Sequence, residues 1–81
     1  MTMNMPMGVL LFPSIHSALR AEKLAKEKRL TVKLIPVPRH LSSDCGVCLR
    51  IDWSEKDRIL DILKEARAVV EGAHPLSEAA E

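Results

Sequence analysis

Aromatic side chains are nearly missing from this chain, which has one Trp, one Phe and no Tyr in 81 residues. It therefore has no stacking platform for nucleic-acid bases. No basic stripe takes its place, because 12 Lys and Arg are interspersed with 11 Asp and Glu for a net charge of +1. No apolar run approaches the roughly 18 residues that span a bilayer. The start, Met1 to Phe12, has neither a basic region nor a small-residue cleavage site, so it does not read as a signal peptide. With only two cysteines there is no secreted disulfide framework. These absences predict a soluble protein of the reducing cytoplasm, with no nucleic-acid or membrane partner. Its length leaves room for one domain with a small core.

The chain does have aliphatic residues, 47% of it being hydrophobic, and they are arranged in short periodic stretches. Met1 to Pro6 reads as a flexible leader. Met7 to Phe12 is a continuous apolar run stopped by Pro13, as expected of a strand buried on both faces. Ser14 then stands where a helix N-cap belongs. Ile15, Ala18, Ala21, Leu24 and Ala25 follow at helical spacing, with Glu22 and Lys26 paired on the wet side. Thr31 to Pro38 has strand character, but Pro36 cannot donate to a ladder and demotes it to a sheet edge. Val47, Leu49 and Ile51 alternate with Cys48, Arg50 and Asp52, which predicts a third strand with one apolar face. Ser54 to Asp57 resembles a capping box and opens a second helical stripe from Ile59 to Val70, closed at Gly72.

The order β-α-β-β-α and a right-handed crossover predict an α+β, ferredoxin-like fold without its fourth strand. It would be a three-stranded antiparallel sheet with two helices on one face. The domain would run over residues 7–72, with 73–81 a frayed tail. The first strand would then keep an open edge, and Leu10, Phe12 and Ile35 would face away from the helices. Both features predict a homo-oligomer, most simply a homodimer.

The chemistry of the chain concentrates in the loop from Val37 to Cys48. In the expected topology this loop shares one end of the sheet with the first turn of the first helix. Unpaired N–H groups and a positive partial charge there favour a thiolate, lowering a cysteine pKa from about 8.5. Cys45 is the candidate nucleophile, with Ser14, His16, Arg39, His40, Ser42 and Ser43 around it. Gly46 allows a tight turn or close approach beside it. Simpler roles compete: Cys45 as a small hydrophobe, His16 and His40 as solvated residues, Ser42, Ser43 and Asp44 as turn chemistry. Cys48 is a second thiol, but Cys45-Gly46-Val47-Cys48 leads into a strand, unlike a dithiol oxidoreductase motif at a helix start. Two cysteines fall short of a zinc ligand set, so no metal or other cofactor is expected. No nucleophile-elbow pattern supports a hydrolase.

Three segments resemble the small bacterial and archaeal family of selenium/sulfur carrier protein-like domains. They are Ser14-Ile15-His16-Ser17-Ala18-Leu19 with Ala21 to Leu24, Leu34 to Arg39, and Ser42-Ser43-Asp44-Cys45-Gly46 with Leu49-Arg50. The resemblance covers about residues 8 to 70. The specific part is the Pro36-Val37-Pro38-Arg39 and Ser42-Ser43-Asp44-Cys45-Gly46 pair. It implies that Cys45 is the thiol able to hold a persulfide or selenopersulfide, in a carrier rather than a turnover enzyme, served by donor and acceptor proteins. Cys48 looks like an addition to the family pattern, and Leu30 stands where relatives tend to have Gly. Two other readings compete, a non-catalytic self-associating interaction module and a metal-binding protein using both cysteines.

Overall fold

A computed structural model of the chain describes residues 7–39, 41 and 46–76. The elements are β1 (Met7–Leu11), α1 (Ile15–Glu27), β2 (Val32–Pro36), β3 (Val47–Asp52), α2 (Lys56–Glu65) and β4 (Gly72–Leu76), with a 3-10 turn at Trp53–Glu55 before α2. The sheet order is β2-β3-β1-β4, and every neighbouring pair is antiparallel. As expected, β3 lies between β1 and β2, and β2 forms an edge. The expectation of three strands is corrected to four. Residues 73–76, expected in a frayed tail, complete β4 along the edge of β1, and Glu71 N–H adds a 2.7 Å bond to the Leu11 carbonyl. Gly72-Ala73-His74-Pro75-Leu76 has little strand propensity and contains a proline. At an outer edge that proline is tolerated, because no further strand needs its N–H.

The second helix is shorter than its apolar stripe suggested. It ends at Glu65, and Arg67 takes a left-handed conformation with φ 59. Arg67 N–H donates to Lys64 O at 3.0 Å and Ala68 N–H to Leu63 O at 2.8 Å, the bonding pattern of a Schellman motif. Beyond it, Ala68 and Val70 pack on the core while Val69 is exposed, so this part of the stripe has an extended period of two. The first helix ends in the same way, with Arg29 at φ 64, Arg29 N–H on Lys26 O and Leu30 N–H on Ala25 O. The capping box expected at Ser54 does not form. Asp52 accepts from Ser54 N–H at 3.1 Å and from its hydroxyl at 2.8 Å, capping the 3-10 turn, and α2 has no side-chain cap.

One core lies between the sheet and the helices. Leu10, Phe12, Val32, Leu49 and Ile51 meet Ala18, Ala21 and Ala25 of α1 and Ile59 and Leu63 of α2. Leu10 and Phe12 therefore face the helices, which corrects their expected outward placement. A continuous apolar strand carries no period to orient it, and pairing with β3 decides its phase. Val9, Leu11 and Cys48 fill a second, smaller cluster on the other face, joined by Ile35, Val37, Leu41 and Leu76. Of the grounds for expecting a homodimer, the open edge of β1 is filled by β4 and Leu10 and Phe12 are buried, while Ile35 lies on the face away from the helices as expected and is partly buried.

Gly8 makes room for a ring on the inner face. A Cβ built there would overlap the Trp53 indole, whose ring also carries Lys56 Nζ at 5.2 Å from its centroid. Gly8→Ala should cost about 1 to 3 kcal/mol through overpacking, read as a lower urea midpoint. Arg67→Gly should stabilise by about 1 kcal/mol, because glycine adopts the left-handed conformation without a Cβ penalty. An unchanged or lower midpoint for Arg67→Gly would contradict the strain assigned to that position.

Candidate functional site

The register brings four chain segments together at one end of the sheet. Leu11 lies opposite both Cys48 and Gly72, and Pro36 lies opposite Val47. The ends of β1 and β2 thus meet the starts of β3 and β4. Two residues beyond Phe12, Ser14 starts α1 from the same end. Its extended backbone and its Oγ, which accepts from Ser17 N–H at 3.2 Å, make it the expected N-cap. Ser14 Oγ also lies 3.3 Å from Ser17 Oγ, so the Ser14 hydroxyl is engaged in holding the helix start.

The loop between β2 and β3 is closed at its base and pinned on one side. Val37 N–H donates to Gly46 O at 3.2 Å, continuing the ladder one step past Pro36. Leu41 N–H donates to Pro38 O at 3.0 Å, forming a turn, and the Leu41 side chain packs on the second cluster with Val37. Gly46 has φ +81 and is exposed, and a Cβ there would meet nothing within 4 Å. Backbone conformation therefore calls for glycine at this position.

His16 and Arg39 are exposed, as are Ser14 and Gly46. Cys45, His40, Ser42, Ser43 and Asp44 lie outside the described residues. Cys48 lies inside them and is fully buried, with its Sγ 3.9 Å from Pro36 O and Leu11 and Ile35 opposite it across the sheet. Cys48 thus belongs to a packed face and behaves as a small hydrophobe with a weak donor. The polar face expected of β3 is apolar at this position. Among the described residues no group of three or more His, Cys, Asp and Glu could hold a metal ion, and no helix is long and apolar enough to cross a membrane. Sequence reasoning missed Leu41, an apolar residue in a polar loop; that contrast is the signal that could have marked it as the anchor.

A family described as "Putative Se/S carrier protein-like" matches residues 7–75, from the first residue of β1 into β4. The chain belongs to this Se/S carrier protein-like family. No curated protein and no solved structure matches it. The family match spans both sides of the β2–β3 loop and the start of α1, the segments that meet at this end of the sheet.

The burial of Cys48 has a direct readout. Under native conditions iodoacetamide should leave Cys48 unmodified, and in urea it should alkylate it, as peptide mapping by mass spectrometry will show. Native modification of Cys48 at the rate of an exposed thiol would contradict its placement in the second cluster.

Proposed function

We propose that this protein is a cytoplasmic sulfur or selenium carrier whose Cys45 thiolate accepts the atom from a donor protein and passes it to an acceptor protein. The observation that carries this reading is the family match over residues 7–75. In the sulfur case, Cys45 Sγ attacks the terminal sulfur of a donor persulfide. One S–S bond forms on Cys45, the donor's S–S bond breaks, and the donor leaves as a thiolate, so the exchange needs no outside oxidant or reductant. Delivery to the acceptor is the same step with Cys45 as the leaving thiolate.

Three local features support the reading. Gly46, covalently next to Cys45, is exposed, and a Cβ built on it would meet no described residue within 4 Å beyond its chain neighbours, which suits a thiol that must meet two partner proteins. The start of α1 shares this end of the sheet, and its N–H groups and dipole favour an anionic sulfur nearby. The two ends of the segment that carries Cys45 are tied by the Val37–Gly46 bond, and Leu41 packs on the second cluster, so these described residues lose little entropy on docking.

Incubation of the full chain with a cysteine desulfurase and L-cysteine should add one sulfur atom to Cys45, detected by intact-mass and peptide mass spectrometry. A Cys45→Ser variant should gain none. With Cys48→Ala as background, pH-dependent alkylation should place the Cys45 pKa below the reference of about 8.5. An unmodified Cys45, or equal labelling of the Cys45→Ser control, defeats the carrier reading.

A further inference from the structure

Two prolines frame the entry to the β2–β3 connection. Pro36 and Pro38 each have a ring-fixed φ and no N–H, and the residue between them is held extended by the proline that follows it. Val37 is therefore the one donor on a stiff stretch of backbone, and its N–H goes to Gly46 O at 3.2 Å. The carbonyl of Pro38 accepts from Leu41 N–H at 3.0 Å. Val37 and Leu41 both set their side chains on the second cluster, with Val9 and Leu11. The two described residues that flank Cys45 in sequence, Leu41 and Gly46, are thus both bonded to the Pro36–Val37–Pro38 stretch.

Leu41 is out of keeping with its neighbours, since His40, Ser42, Ser43 and Asp44 are all polar. The core between the sheet and the helices does not use it. What its placement does is divide the connection. Eight residues, 38–45, lie between Val37 and Gly46, whereas four, 42–45, lie between Leu41 and Gly46, and the last of them is Cys45. Doubling a span between fixed ends lowers the population of any one closed arrangement by about threefold. That factor matters at this end of the sheet, because the positive end of the α1 dipole acts on a charge only near the first turn.

We propose that Leu41 is a positioning residue for Cys45. Its side chain, seated on the second cluster, keeps the span that carries the thiol short, so that the sulfur stays by the start of α1. The inference deepens the carrier reading and rests on it. Leu41 acts through the chain and makes no bond to the transferred atom.

The test compares Leu41→Ala with Leu76→Ala in the full chain. Leu76 packs on the same cluster from β4, opposite Met7 at the far end of the sheet, so its loss thins the platform without lengthening the span. Two properties of Cys45 are followed by tandem mass spectrometry: alkylation by iodoacetamide across pH, and loading by a cysteine desulfurase with L-cysteine. Leu41→Ala should move the alkylation midpoint up toward the reference of about 8.5 and slow loading at neutral pH by about threefold or more. Leu76→Ala should move neither. Leu41→Met, which keeps an apolar side chain of similar volume, should restore both. Circular dichroism and urea titration verify that each variant folds. An alkylation midpoint that Leu41→Ala leaves at the wild-type value, or that Leu76→Ala moves as far, overturns the positioning role, and a wild type that still loads keeps the carrier reading. If the desulfurase does not load wild-type Cys45, the carrier reading falls and takes the role assigned to Leu41 with it.

Discussion

The antiparallel pairing of β1 with β3 is the constraint on which the other contacts depend. Leu10 opposite Leu49 and Leu11 opposite Cys48 fix the phase of a strand whose own sequence is apolar at every position after Gly8. A slip of one residue would turn Leu10 and Phe12 out of the helix-facing core and press Val9 and Leu11 into it. Gly8 and Trp53 reinforce the register, since the indole needs a position without a side chain at this point of β1. Once β1 is set, β4 can pair along its second edge and β3 can present Cys48 to the face without helices.

That second face draws described parts of the β2–β3 connection onto it. Val9, Leu11 and Cys48 are too few to form a core, yet Val37 and Leu41 cover part of them from the β2–β3 connection. Burial on the order of 25 cal/mol per Å² of apolar surface offsets some of the entropy of ordering Val37 and Leu41 there. Cys48 is thus a packing residue of this second face, with no share in a reactive site.

Much of the architecture was legible in the sequence because local signals were strong. Ser14 caps α1, Val47 to Asp52 alternate as a strand, and Pro36 marks an edge, each through chemistry that acts over a few residues. The errors fell where local signals were weak or misleading. Arg29 and Arg67 close their helices in a conformation usually left to glycine, so the sequence carries no glycine to mark the end of α2 before Gly72. Ala68 and Val70 continue the apolar spacing of α2 but reach the core from an extended segment. The capping role went to Asp52, not Ser54, because a 3-10 turn precedes the helix. Around the loop, the N-cap at Ser14 and the glycine turn at Gly46 were legible as local structure, whereas the contact of Leu41 with the second cluster was not.

The sequence by itself determined the α+β class, the helix starting at Ser14, the antiparallel β2-β3-β1 core of the sheet and the family, because caps, periods and motifs are local and survive without knowledge of neighbours. Only the tertiary structure decided that Gly72 to Leu76 is a strand, that Leu10 and Phe12 face inward, that Cys48 is buried and that Ile15 is exposed. Those outcomes depend on which residue lies opposite which across the sheet. An apolar run, a short proline-containing segment or a lone thiol carries no such information until a partner strand fixes its register.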